Sequence, residues 1–254
     1  MKLRLPALVG AIALGSSLLF ASAGSVGAVT TTGPAGKGVC AVEAAAVKAG
    51  ATVDKLRAFG NCEIDRRFAT LTTLSAKITS SKVMTSAHAA TLQSEISSTR
   101  AGLTELKGTI DAETGLPALR LDITKIATQF RVYLLVVPQV HLTNASDGVV
   151  ASQSKFATIN TNLAARIAAA KTAGKDTTAA QTDLDAMNAA DAAAVTLASP
   201  LSGELLPLTP AEYNGGTAGP VITAARADLV KAVADVKTAV ADAKACRAAL
   251  KALK

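Results

Sequence analysis

The chain has 254 residues, is 50% hydrophobic but only 3% aromatic, lacks tryptophan and carries a formal net charge of +7. Its basic residues are dispersed among Asp and Glu, and stacking aromatics are scarce, so nucleic-acid binding finds no footprint. Alanine with Leu, Val and Ile supplies the apolar content, a mixture that favours helix over strand.

Lys2 and Arg4 precede an apolar run from Leu5 to Phe20, which ends in the small residues Ala21, Ser22 and Ala23. This pattern predicts a secretory signal over residues 1–28 and a mature chain that is secreted or held at the cell envelope. The most apolar later stretch, Val132 to Leu142, is about half the ~20 residues a membrane helix needs. No membrane span is therefore expected in the mature chain.

After a Thr, Gly and Pro-rich lead-in over residues 30–37, a short helix is predicted from Val39 to Lys48, ending at Gly50. Thr52 should cap a second helix, with Asp54 in its first turn and a seam of Ile64, Phe68, Leu71, Ser75 and Ile78. A turn over 80–86 leads to a third helix capped by Thr85 or Ser86, with Leu92, Ile96, Thr99, Leu103, Leu106 and Ile110 in a 4-3 repeat. Pro117 starts a long helical region. Leu119, Ile123, Ile126, Phe130, Tyr133 and Val137 line its first half, and Phe156, Ile159, Leu163 and Ile167 its second.

Pro138 and the Asp147–Gly148 pair are expected to kink or break that rod and mark a domain boundary. Gly174 closes it, and Thr178 with Gln181 resembles a capping box for a helix seamed by Leu184, Met187, Asp191, Ala194 and Leu197. Residues 200–219 read as a long loop holding a small turn at Thr209–Glu212. Pro220 opens a last helix with Leu229, Val233, Val236, Val240, Ala243 and Leu250 on one face. The expected fold is all-α, an elongated antiparallel helical bundle made of two three-helix bundles sharing a long central helix. The N-terminal bundle would span 29–145 and the C-terminal one 146–254.

Cysteine usage carries the clearest chemistry. A hairpin at Gly50 would bring Cys40 level with Cys62, whereas an uninterrupted helix would hold them ~33 Å apart. In an exported chain this predicts a Cys40–Cys62 disulfide, with Cys62–Cys246 as the alternative. Cys246 is otherwise left as a buried free thiol or as an intermolecular bridge that would make a dimer.

His88 and His141 stand far apart in sequence without metal-ligand spacing, and no nucleophile-elbow pattern is present. Catalytic residues, metal ligands and cofactors are thus not expected, and the chain reads as a non-enzyme. Glu63, Asp65, Arg66 and Arg67 form the densest charge group. Their spacing suits a Glu63–Arg67 helical ion pair on a solvated face, or pairing with Asp122 across the bundle, before an anion-binding patch. Arg131, Tyr133, Val137 and His141 flank an all-round apolar turn and form the candidate partner or ligand patch. Asn144-Ala145-Ser146 matches a glycosylation acceptor only weakly.

The segments CEIDRRFATLTTL from Cys62, RVYLLVVPQVHL from Arg131, AARIAAAKTAGKDTTAAQTDLDAM from Ala164 and LTPAEYN from Leu208 resemble a group of exported alanine-rich helical proteins of actinobacteria. That resemblance implies export and a helical rod; it supplies no activity or site residue. The sequence as a whole points to a non-enzymatic spacer or interaction module that meets a protein or cell-envelope component through exposed helix faces or the 200–219 loop. The alternative is a binding protein holding an apolar or anionic small molecule between helices.

Overall fold

A computed structural model describes residues 38–253, so the expected signal over 1–28 and the lead-in over 30–37 lie outside the described residues. Among the described residues every regular element is helical. Helix α1 (Ala41–Ala49) folds back on α2 (Val53–Ser80) at Gly50. Thr52 Oγ1 caps α2 by accepting from the Lys55 amide at 3.3 Å, and Thr85 Oγ1 caps α3 (Ser86–Ala112) by accepting from the His88 amide at 3.2 Å. Both caps fall where the sequence places them.

The N-terminal core joins α2, α3 and α4 (Leu116–Thr128) through Leu56, Ile64, Leu71, Leu74, Ile78, Leu92, Ile96, Leu103, Ile110, Leu119 and Ile126. The buried line of α2 is Gly60, Ile64, Arg67, Leu71, Leu74 and Ile78, stepping by four and three. It therefore places Arg67, rather than Phe68, in the seam.

The long central region is interrupted earlier than expected. Helix α4 stops at Thr128, Arg131 adopts a left-handed backbone (φ 44°), and a π-helical turn over Val132–Val136 precedes α5 (Val137–Thr172). Pro138 lies in the first turn of α5 and does not break it: the π turn runs directly into α5, with the Val137 amide donating to the Val132 carbonyl, so the proline falls where the hydrogen-bond pattern changes. Asp147 and Gly148 likewise sit inside an unbroken helix. Side-chain contacts from α3 to Asp147 offset the low helix propensity of that pair.

Helix α5 belongs to two cores in turn. Val136 of the π turn and Val140 complete the N-terminal one, whereas Leu135 of the π turn and Leu142, Val149, Phe156, Leu163 and Ile167 of α5 pack with α6 (Thr178–Ala198) and α9 (Ala218–Ala252). The cores change over between residues 135 and 142. Beyond Asp147, α5 runs past the α2–α3 turn and pairs only with the C-terminal helices, which makes the molecule elongated; at 1.5 Å per residue its 36 residues span about 54 Å.

Helix α9 shows strict heptad bookkeeping by side-chain size. Ile222, Leu229, Val236, Ala243 and Leu250 recur every seven residues, and so do Ala218, Ala225, Ala232, Ala239 and Cys246; all ten are buried. The second line lets α6 approach closely, and Cys246 takes the place of one more small residue in it.

The capping box expected at Thr178 does not form. Asp176 Oδ1 instead accepts from the Thr178 amide at 2.9 Å. Burial of Asp191, which falls on the α6 seam, pushes its carboxyl up, and Oδ1 has no partner. Asp191→Leu is expected to raise the urea midpoint at pH 7, since it completes the seam and removes a partly desolvated carboxylate. A lower midpoint would show that the carboxylate is solvated.

Candidate functional site

The junction of the two bundles gathers most of the polar side chains that the sequence singles out. Tyr133, Val137 and His141 are spaced by four, and this stripe of the π turn and α5 lies along α2. The Tyr133 ring meets two guanidiniums, with Arg66 Cζ 4.8 Å and Arg67 Cζ 5.1 Å from its centroid. Glu63 Oε2 accepts from Arg66 Nη2 at 2.8 Å and from Arg67 Nη1 at 2.6 Å.

The Glu63–Arg67 pair is thus present, but not on a solvated face: Arg67 is only 6% exposed. Its place in the α2 seam forces that burial. Nor does either arginine reach Asp122, which pairs with Lys125 at 2.7 Å. The Nε atoms of Arg66 and Arg67 and the Tyr133 hydroxyl are buried without a partner.

About three turns further along α2, Lys77 Nζ donates to His141 Nδ1 at 2.8 Å. Burial first, and then the neighbouring Lys77 charge, lower the His141 pKa to about 4. The imidazole is therefore neutral at physiological pH and acts as an acceptor, while burial lowers the Lys77 pKa. Val137 packs against the N-terminal core.

Arg131 leaves this group. Its Nε donates to Asn214 Oδ1 at 2.6 Å and its guanidinium lies 5.1 Å from the Tyr213 ring centroid. Asn214 Nδ2 donates in turn to the Thr128 carbonyl at 2.7 Å. These contacts hold the left-handed Arg131 backbone, a conformation that costs an L residue about 1–2 kcal/mol. The four candidate patch residues are therefore divided: three face α2, and one binds the segment that precedes α9.

That segment is not the open loop the prolines and glycines suggest. Helix α7 (Leu201–Leu205) buries Leu201, Ser202 and Leu205, and α8 (Pro210–Asn214) starts with a complete Thr209–Glu212 capping box. A polar stripe on α5 receives it. Gln139 Nε2 donates to the carbonyls of Leu205 at 2.9 Å and Leu208 at 3.0 Å, and Ser146 Oγ donates to Ala198 at 2.8 Å. Sequence reasoning missed this stripe, although Gln139, Thr143 and Ser146 at spacings of four and three are its visible signal.

Asp147 ties three elements together. Its carboxylate accepts from the Thr85 amide at 2.9 Å, lies 2.9 Å from His88 Nδ1 through both oxygens, and accepts from Ser202 Oγ at 3.4 Å. The order is Ser–Asp–His: the serine contacts the carboxylate and not the imidazole, so it is not activated as a nucleophile. Asp147→Ala is expected to cost about 1–3 kcal/mol in urea unfolding, because it strands the buried Ser202 hydroxyl and removes the acceptor of the Thr85 amide. A cost within about 0.5 kcal/mol would mean that water replaces the carboxylate freely. The acceptor-like Asn144 lies within α5, where its Oδ1 accepts from Ser81 Oγ at 2.6 Å.

Cys40 and Cys62 are disulfide-bonded, with Cα atoms 5.8 Å apart, so the Cys62–Cys246 alternative is excluded. Cys246 is free and fully buried, and burial pushes its thiol pKa up. An intermolecular bridge through it would require the end of α9 to open.

Two open grooves mark the surface, and the second reaches Arg66 of the junction group. One, of about 440 Å³, follows Ile167, Lys171 and Lys175 to Thr182; the other, of about 530 Å³, follows Val39, Asn61, Cys62, Asp65 and Arg66. Among the described residues no group of three His, Cys, Asp or Glu side chains could hold a metal ion, and no helix is long and apolar enough to cross a membrane. No protein-family model matches the chain, and no significant match is found among curated proteins or solved structures.

Proposed function

We propose that this is an exported, non-enzymatic helical spacer or interaction protein, secreted or held at the cell envelope, as its resemblance to exported alanine-rich proteins of actinobacteria implies. The observation that carries the reading is the use made of the junction side chains. Glu63, Arg66, Arg67 and Tyr133 bind one another and Lys77 holds His141 inside the N-terminal bundle, while His88 with Asp147 and Gln139 with the Leu205 carbonyl tie α5 to its neighbours on either side. Chemistry that an enzyme would aim at a substrate here sets the geometry of a rod. The disulfide suits an oxidising compartment.

On this reading the partner, a protein or envelope component, meets the outer faces of the long helices or the exposed residues of α8. Photo-reactive side chains placed at exposed positions of α6, α8 and α9 in the producing cell test it. Cross-links from one face to a single envelope component support the proposal. Retention of the protein in the cytoplasm, or co-purification of a stoichiometric small molecule instead, would refute it.

A further inference from the structure

We propose that the Cys40–Cys62 bond is a reducible latch: a dithiol attacks Cys62 Sγ and frees residues 38–50 while both bundles stay folded. Helix α1 contributes no buried residue, and of its side chains only Val47 touches the N-terminal core, half-buried. Both cores are built from Leu56 onward. An isolated nine-residue helix is marginal in water, so the covalent bond supplies most of what keeps α1 docked.

Gly50, at positive φ with open space around it, gives the connection a pivot. The segment can therefore swing away without disturbing α2, whose own cap at Thr52 lies beyond the pivot.

The two sulfurs differ in access. Cys40 is buried at 5% exposure, whereas Cys62 is half-buried and lines the open groove of about 530 Å³. Arg66 stands on the rim of that groove with its charge shared by Glu63 at 2.8 Å, as the charge of Asp65 is by Lys107 at 2.6 Å, so the rim does not repel an approaching thiolate. Attack on Cys62 forms a mixed disulfide, breaks the Cys40–Cys62 bond and leaves the electron pair on Cys40 Sγ, which takes a proton as the segment departs. The second thiol of the reagent then attacks its own sulfur in the mixed disulfide. The reagent ends as a cyclic disulfide, oxidised by two electrons, and both cysteines end as thiols.

The experiment treats the native full chain with dithiothreitol, blocks thiols with N-ethylmaleimide, and follows peptide mapping together with hydrogen exchange. Cys40 and Cys62 should be blocked and Cys246 should not. Amide protection over 41–49 should fall at least about tenfold, with α2 to α9 unchanged. With glutathione, a monothiol, the trapped mixed disulfide should sit on Cys62. The Cys40→Ser/Cys62→Ser variant should show the same unprotected α1 without reductant and retain a cooperative unfolding transition. Persistent protection of 41–49 after blocking, labelling of Cys246 in step with the other two, glutathione on Cys40, or failure of the double variant to fold would each overturn the proposal.

Discussion

Glu63→Ala is expected to destabilise the protein by about 3–5 kcal/mol, the loss typical when one partner of a buried ion pair is removed and the other charge stays behind. Glu63 Oε2 is the shared acceptor for Arg66 and Arg67. Without it two guanidiniums face the same Tyr133 ring, and Arg67 retains only the backbone carbonyl of residue 63 at 2.8 Å as a hydrogen-bond acceptor. Arg67 cannot turn to water, because its seam position holds it between Ile64 and Leu71 on the buried line of α2.

The converse change should be far milder. Arg67→Met removes the buried charge, fills the seam with a flexible apolar chain and leaves Glu63 paired with Arg66, so a change within about 1–1.5 kcal/mol is expected. Tyr133→Phe should be neutral or slightly favourable, since the lost hydroxyl has no partner. Urea unfolding followed by circular dichroism at 222 nm reads all three. Equal losses for Glu63→Ala and Arg67→Met, or a Glu63→Ala loss below about 1 kcal/mol, would show a solvated pair.

This arginine also shows where the sequence could and could not be read. Branched aliphatics recurring by four and three marked α3, and the cysteine spacing with Gly50 marked the α1–α2 hairpin and its disulfide; in α9 the line of Leu229, Val236, Ala243 and Leu250 is buried as expected, but the second buried line runs through Ala232 and Ala239 rather than the half-buried Val233 and Val240. In α2 the same rule is satisfied by Ile64, Arg67, Leu71, Leu74 and Ile78, a line concealed by placing Phe68 and Ser75 in the seam, each one position beyond the residue that is buried. The break before α5 was misplaced because Pro138 and Asp147–Gly148 are breakers in isolation. In the fold, the proline falls where the π turn gives way to α5, and Asp147 is anchored from α3. What interrupts the rod is instead Arg131 in a left-handed conformation, a backbone state that no residue-type signal announced.

Residues 200–208 misled for the opposite reason. Their prolines describe the connection, but Leu201, Leu205 and Leu206 decide its place by packing into one core or the other. The candidate patch was half legible: the spacing of Tyr133, Val137 and His141 puts them on one stripe, yet only tertiary structure shows α2 covering it. Legible local pattern and illegible partner are what helical bundles give when several faces are comparably apolar.

Glu95 and His141 are expected to give opposing pH dependences, which the wild type conceals and single substitutions reveal. Burial raises the Glu95 carboxyl from 4.5 to about 7. Between those values the unfolded chain has lost the proton and the folded chain keeps it, so this group's contribution to stability is full below pH 4.5 and disappears as pH rises through about 7. His141 works the other way: lowered from 6.5 to about 4, it leaves stability intact above pH 6.5 and removes it as pH falls through about 4. At 1.36 kcal/mol per pKa unit each effect would reach about 3.4 kcal/mol, which partial exposure to solvent reduces to about 2–3 kcal/mol across its window, and the windows overlap over most of their width. The wild type should therefore hold a nearly level urea midpoint between pH 4.5 and 6.5 as far as these two groups are concerned. Glu95→Gln should match wild type near pH 4 and exceed it by about 2–3 kcal/mol at pH 8, leaving a curve that declines toward acid. His141→Asn, which preserves an acceptor for Lys77, should match wild type at pH 8 and gain on it by a similar amount near pH 4. Curves for both variants running parallel to wild type across this range would mean that neither side chain is desolvated as the packing of α3 and α5 requires.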